Sequence, residues 1–372
     1  MMKIGYARYS QSFHLDFLKA SAKMLGTELR LGILEALLDL GHQVYILSQI
    51  PRNHLHILDG SGEIYNYSKF KNIKYSPEEI PNLDLLIIEA STTNIKFGGE
   101  AILRIKDILS KYSGMVAFYH HSDKISGFPL GAIYNGEATG FKLPKGVKEP
   151  NYKTLFRDVD FKDKEWILWT HADPQNLISR MSGDRFRYDL FDKSFSFLLG
   201  YSPIFDTPKR IRQFSKRQYD LVYIGRQKTP YRTRRLIELY GDDKCKRLLY
   251  GFWQDPPIEF EYKGFISGHG NMYDLYGDSV ASIVTGDSFF LETGLMTTRV
   301  IQSIRAGCIT FIDKEFLNAE QYVDKEFIIN CHEDTHSVIG LSDNKLKDLL
   351  ILQRHKLCPW TTSLFDVIKR TV

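Results

Sequence analysis

The sequence predicts an α/β protein of two Rossmann-like units facing each other across a deep cleft, with a C-terminal helical segment returning to the first unit. Three observations predict it. The chain has 372 residues, 43% of them apolar and 25% charged, enough for about two domains of roughly 150–200 residues each and incompatible with a disordered or collagen-like polymer. Apolar runs without polar alternation are separated by amphipathic helical stretches, the pattern of a parallel sheet covered on both faces. That alternation starts twice along the chain.

The first unit opens on an apolar run at residues 3–7 and a helix at 29–40, closed by Gly41 before a strand at 42–47. Strands follow at 83–89 and 115–120, with a helix at 101–112 opened by the Gly98-Gly99 pair. Residues 127–164 are rich in Gly, Pro and Lys with little periodicity. A connection of that length is expected to be a functional, mobile loop. The run 166–170 resumes the first unit. Lys209, Arg210, Arg212, Lys216 and Arg217 then form a basic run without an acidic residue, which marks the junction. The second unit is expected to carry strands at 219–225, 248–252, 264–266, 282–286, 309–312 and 327–330, and helical stretches at 232–239, 272–281 and 298–306. A last helix at 345–355, with a tail through Trp360 and Phe365, is expected to pack back on the first unit. The domains are therefore set at 1–205, 206–344 and 345–372, and no internal sequence repeat is present.

Forty-nine Lys and Arg against 45 Asp and Glu leave a formal charge of +4. This excludes a histone-like polycation but allows one basic face and an acidic polymer as partner. No apolar run reaches the roughly 18 residues of a membrane span, and the start, Met1-Met2-Lys3-Ile4, lacks a secretory signal. A cytosolic protein without membrane contact is expected. Cys245, Cys308, Cys331 and Cys358 are far apart and form no C-x-x-C pair, so buried free thiols are expected rather than disulfides or zinc.

Open α/β sheets bind ligands outside the carboxyl ends of their strands, so the residues just after strands carry the functional reading. Gly225-Arg226-Gln227-Lys228-Thr229-Pro230-Tyr231-Arg232 follows a strand and opens a helix. There backbone N–H groups, the helix dipole, Lys228 and Arg232 could converge on a diphosphate, or the segment is an ordinary turn with solvated cations. Arg299, opening a later helix, would share that mouth. Asp287, after another strand, either orients sugar hydroxyls or caps the following turn, with a polar loop from there to Thr297. In the first unit His120-His121-Ser122-Asp123 follows a strand, where Asp123 could serve as a general base. The adjacent histidines point to opposite faces of a strand, which argues against a metal. Asp158-Val159-Asp160 has the look of a sugar-nucleotide metal motif but sits in a charged loop, and His269 lies between glycines as a turn residue.

Several stretches, in order across nearly the whole chain, resemble the DNA beta-glucosyltransferase family of T-even bacteriophages: Asn94-Ile95-Lys96-Phe97-Gly98-Gly99, residues 119–123 with Phe128, residues 220–236, Thr285-Gly286-Asp287, Thr298-Arg299-Val300, Phe311-Ile312-Asp313-Lys314-Glu315-Phe316, and Trp360. The resemblance implies a GT-B fold, a UDP-sugar in the second unit, and DNA entering between the units. It makes Asp123 the base that deprotonates the hydroxymethyl group of a modified cytosine. It also assigns Gly225 to the nucleotide, Lys228, Arg232 and Arg299 to the diphosphate, the backbone around Ile266 to the uracil, Asp287 to the sugar side, and Phe97, Gly98 and Gly99 to a loop near the extruded base. The departures are Lys228 for an arginine, which keeps charge but loses the planar fork, Arg226 for a serine, Gln302 for a ribose-binding glutamate, and Glu28, which matches a donor-side glutamate only with a one-residue shift.

The activity so implied is an inverting transfer of a sugar from UDP-glucose or UDP-arabinose to 5-hydroxymethylcytosine in double-stranded DNA, with base extrusion. Lys145, Lys209, Arg210 and Arg212 are the candidate DNA contacts. The same resemblance implies a divalent ion, Mg or Mn, assisting without a dedicated protein site, a monomer, and the cytoplasm of the infected bacterial host. Three alternatives stay open: a GT-B transferase acting on a small molecule or glycan, transfer to a sugar already attached to the base, and an inactive DNA-binding relative.

Overall fold

The structure is a computed structural model that describes residues 1–8, 28–47, 73–75, 79–90, 99–120, 159–160, 162–182, 191–202, 212–225, 227, 229–241, 245–264 and 270–372. The chain divides into two compact units: Met1–Ser21, Ile33–Phe197 and Thr361–Val372 form the first, Ala22–Gly32 and Leu198–Trp360 the second.

In the first unit the described elements are β1 (Lys3–Arg8), α1 (Glu28–Asp39, of which the residues up to Gly32 belong to the second unit), β2 (Gln43–Ile46), β3 (Lys74–Tyr75), β4 (Leu85–Ala90), α2 (Gly99–Lys111), β5 (Gly114–His120), β6 (Lys164–Thr170), α3 (Pro174–Ser182) and β7 (Lys193–Ser196). The sheet order is β3-β2-β1-β4-β5-β6-β7, and every pairing is parallel. The apolar runs explain it: Leu85, Leu86, Ile87 and Ile88 of β4 are all buried, as a strand covered on both faces requires. Gly41 stops α1 with φ +78°, a left-handed conformation that costs glycine no Cβ clash. The C-terminal residues return here, where Trp169 donates its indole N–H to Thr371 Oγ1 at 3.0 Å.

In the second unit the order is β8 (Tyr219–Ile224), α4 (Pro230–Tyr240), β9 (Arg247–Tyr250), β10 (Glu261–Tyr262), α5 (Gly270–Gly277), β11 (Ser279–Val284), α6 (Ser288–Thr293), α7 (Arg299–Arg305), β12 (Ile309–Asp313), β13 (Ile328–Ile329), α8 (Glu333–His336), α9 (Asp343–Lys356) and α10 (Trp360–Thr371), the last entering the first unit. The sheet runs β10-β9-β8-β11-β12-β13, again parallel throughout. The third strand comes earlier than residues 264–266, at Glu261–Tyr262. The expected polar loop after Asp287 contains a helix, α6, because Phe289, Phe290 and Leu291 supply one apolar turn.

Trp360 is 2% exposed and lies against two glycines of the second unit. A Cβ on Gly32 would fall 2.5 Å from its Cδ1, and one on Gly200 would fall 2.6 Å from its Cδ2. Gly200→Ala is expected to cost about 1–3 kcal/mol by overpacking, read as a lower urea midpoint. An unchanged midpoint would show that the indole yields instead.

Of the cysteines only Cys308 is buried, while the other three are partly exposed and all four are free. Burial pushes the Cys308 thiol up to about 12, so it is inert at neutral pH. Among the described residues no helix is long and apolar enough to cross a membrane.

Candidate functional site

β8 and β11 are neighbours whose connections leave in opposite directions, β8 through α4 to β9 and β11 through α6 and α7 to β12. Their carboxyl ends therefore form a topological switch point. Thr229 caps α4 in extended conformation, its side chain accepting from Arg232 N–H at 3.3 Å, and Pro230 takes the first helical turn. The Thr229 hydroxyl donates in turn to Asp287 Oδ1 at 3.0 Å. Asp287 Oδ2 meets Arg232 Nη2 at 3.0 Å, with side chains 14% and 4% exposed. Arg232, Thr229 and Asp287 thus join the two ends of the switch point. Asp287 stands at the N-terminus of α6 without a side-chain capping bond, so the capping alternative is corrected: its carboxylate is engaged by Thr229 and Arg232.

Arg299 is the first residue of α7, half-buried, and makes no ion pair with any described residue. Gln302, one turn on, is 5% exposed, and its side-chain amide has no hydrogen bond to a described residue. Gly225 follows β8 where a side chain would crowd its neighbour: a Cβ there would lie 2.7–2.9 Å from the Tyr223 side chain.

A second charged network lies beneath the first. Asp313, fully buried at the end of β12, accepts from Arg235 Nε at 3.0 Å and Nη2 at 2.7 Å, and from the Thr285 hydroxyl at 2.7 Å. The Asp313 carboxylate is the main reason the Arg235 guanidinium is held above the ordinary arginine range. Tyr231 donates to Glu315; burial first, then that carboxylate, raises its phenol.

At the carboxyl edge of the first sheet the sequence reading missed several groups. Glu89 is fully buried and accepts from Tyr6 OH at 2.5 Å. His171 Nδ1 faces the Phe197 carbonyl at 2.9 Å. A carbonyl only accepts, so Nδ1 carries a proton, and Nε2 is hydrogen-bonded to Tyr119 OH at 2.6 Å. A lone acid ending the apolar run Leu-Leu-Ile-Ile was the signal available for Glu89; His171 had none. Of the Asp158-Val159-Asp160 motif, Val159 is buried and Asp160 accepts from the Lys162 amide at 2.9 Å. Among the described residues no group of three or more His, Cys, Asp or Glu is placed to hold a metal ion.

Asp123, Arg226, Lys228, Ile266, Phe97, Gly98, Lys145, Lys209 and Arg210 lie outside the described residues. Gly99 and Glu28 are the first residues of α2 and α1. Arg212 is exposed and pairs with Asp278. Arg217, from the same basic run, stacks on Phe214 at 3.7 Å and donates to the carbonyls of Ser279 at 2.8 Å and Gly307 at 2.7 Å. Its guanidinium ties the chain to the sheet rather than standing free for DNA.

No protein-family model matches the sequence, and no curated protein matches it either. Solved structures do match. The DNA-modifying enzyme beta-glucosyltransferase, crystallised with and without uridine diphosphoglucose, superposes with a TM-score of 0.62 at 15% identity, covering 100% of this chain and 99% of that one. A beta-glucosyltransferase structure of T4 phage gives 0.59 at 15% identity, with 100% and 99% covered. An alpha-glucosyltransferase in complex with UDP-glucose and DNA containing an abasic site gives 0.52 at 11% identity, with 99% of each chain covered. AviGT4, a glycosyltransferase involved in avilamycin A biosynthesis, gives 0.53 at 11% identity, covering 100% and 97%. The chain is therefore similar over its whole length to phage DNA glucosyltransferases, and its two parallel α/β units make up a GT-B fold.

Proposed function

We propose that the protein is a glycosyltransferase that moves a sugar from a UDP-sugar to DNA, with the hydroxymethyl group of 5-hydroxymethylcytosine in double-stranded DNA as acceptor. The observation that carries this reading is the whole-chain likeness to a DNA-modifying enzyme whose substrate is uridine diphosphoglucose. The switch point with Arg232, Asp287 and Thr229 supports it as the donor side.

In this reading Asp123 takes the hydroxymethyl proton as that oxygen attacks the anomeric carbon. The bond from that carbon to the diphosphate breaks, UDP leaves, and the configuration inverts. Arg232, Lys228 and Arg299 stabilise the charge that develops on UDP, and Asp287 holds Arg232 in place. Gly225, Arg226, Ile266, Gln302 and Glu28 complete the donor side. The acceptor base is extruded from the duplex at a cost of a few kcal/mol, offset by phosphate contacts from Lys145, Lys209, Arg210 and Arg212 and by the loop of Phe97, Gly98 and Gly99. The sugar is glucose or arabinose, and the protein acts as a monomer in the host cytoplasm.

Incubating hydroxymethylated DNA with a panel of UDP-hexoses and UDP-pentoses, followed by mass spectrometry of the nucleosides, tests the reading. A mass increment of one sugar is expected, and no increment with any donor rejects it. The likeness to AviGT4 favours one rival, a transferase of small molecules or glycans. That rival predicts no salt-dependent binding of hydroxymethylated duplex DNA. Arg232→Ala is expected to weaken UDP at least about tenfold, the loss of one charge-assisted hydrogen bond of about 1.5–3 kcal/mol. Equal affinity by calorimetry would remove Arg232 from the donor side.

A further inference from the structure

Tyr223 is the fifth residue of β8 and is buried, yet its phenol reaches past the end of the strand. Strand side chains lean along the strand direction, and this one leans toward the carboxyl edge of the sheet. A Cβ on Gly225, one residue beyond Ile224, would fall 2.8 Å from the Tyr223 hydroxyl oxygen and 2.9 Å from its Cζ. The ring is held from two sides. Tyr240 of α4 meets it edge-on, centroids 6.1 Å apart at 83°, which puts the ring on the face that α4 covers. Trp253 meets it at 6.2 Å and 77°, and is itself tied by its indole N–H to Gly225 O at 2.7 Å.

The hydroxyl of this fixed ring is buried and has no hydrogen-bond partner among the described residues. Its neighbour shows the ordinary behaviour of a buried phenol: Tyr240 donates to Val222 O at 2.9 Å and accepts from Ile283 N–H at 2.8 Å. A buried hydroxyl without a partner weakens folding, so for packing alone phenylalanine would serve better at 223. The partner is therefore to be sought outside the protein, and the lean of the ring says where. Its tip stands at the carboxyl edge, beside the turn that leads into α4, whose first turn carries Arg232 and is capped by Thr229. The N-terminus of a helix attracts anions, and an O–H donated to an anionic oxygen makes one of the stronger hydrogen bonds.

We propose that Tyr223 is a ligand-binding residue: its hydroxyl donates to a phosphate oxygen of the nucleoside diphosphate at the start of α4. The inference rests on the UDP-sugar reading above and adds a neutral donor to the cations of that site. A hydroxyl that serves the ligand and not the fold can be deleted without loss of stability. A hydroxyl that serves the fold, through an internal water for example, predicts the reverse pattern, a less stable chain with unchanged affinity.

Tyr223→Phe keeps the ring against Tyr240 and Trp253 and deletes one oxygen. In calorimetric titrations of the full chain, the affinities for UDP and for inorganic pyrophosphate are expected to fall about tenfold or more, the scale of one hydrogen bond to a charged group. The affinity for uridine is expected to match the wild type. The urea midpoint without ligand is expected to stay unchanged or to rise, because the deleted oxygen has no bond to lose. Unchanged affinity for UDP overturns the proposal, and so does an equal loss for uridine. A lower ligand-free midpoint, or a variant that does not fold, overturns it as well, since either gives the hydroxyl a partner inside the protein. If the wild-type chain binds neither UDP nor pyrophosphate, this inference and the UDP-sugar reading both fall; if it binds them and Tyr223→Phe binds them equally, this inference alone falls.

Discussion

Asp123→Asn is expected to lower turnover by about 10²–10⁴-fold, the range for removing a general base, with UDP affinity nearly unchanged. An amide has almost the shape of the carboxylate but cannot take up the acceptor proton. The expectation starts from β5, which runs between β4 and β6 and is buried along Val116, Ala117, Phe118, Tyr119 and His120. The chain leaves this strand at the carboxyl edge of a parallel sheet, the side on which such sheets carry their chemistry. Glu89, a carboxylate at the same edge on β4, is fully buried and accepts from Tyr6 OH. Single-turnover transfer to hydroxymethylated DNA measures the rate and calorimetry the UDP affinity. Unchanged turnover rejects Asp123 as base. A parallel loss of UDP affinity would move it to the donor side.

The strands were legible because burial on both faces removes polar alternation, which is why 115–120 and 309–312 read directly as β5 and β12. Local punctuation was legible too: Gly41 after α1, and Thr229-Pro230 before α4. What stayed hidden depends on contacts distant in sequence. Thr229 and Asp287 are separated by 58 positions, and only the adjacency of β8 and β11 brings them together. Trp253 and Gly225 meet for the same reason, across the β8–β9 pairing. Helix α6 was missed because six residues give too short a window for helical periodicity. The basic run read as a DNA patch, but periodicity says nothing of where an arginine's N–H groups go, and Arg217 goes to backbone carbonyls.

Asp313→Ala is expected to cost about 3–5 kcal/mol of stability, the scale for removing one partner of a buried ion pair. Asp313 has no exposed surface and accepts from both Nε and Nη2 of Arg235, from the Thr285 hydroxyl, and from the Glu315 amide at 3.1 Å. Alanine would leave a guanidinium that is 6% exposed with only the more exposed Glu238 and Glu315 nearby. The loss is read as a lower urea midpoint. Removing both charges at once, as in Asp313→Leu with Arg235→Met, takes away the uncompensated ion and is expected to recover a substantial part of the loss. If the double variant is no more stable than Asp313→Ala, then shape and the Thr285 bond, not the stranded charge, set the cost. Arg232 and Arg235 lie one turn apart on α4, so the single variant should also weaken UDP. Retention of full UDP affinity would show that Asp287 and Thr229 suffice to hold Arg232 in place.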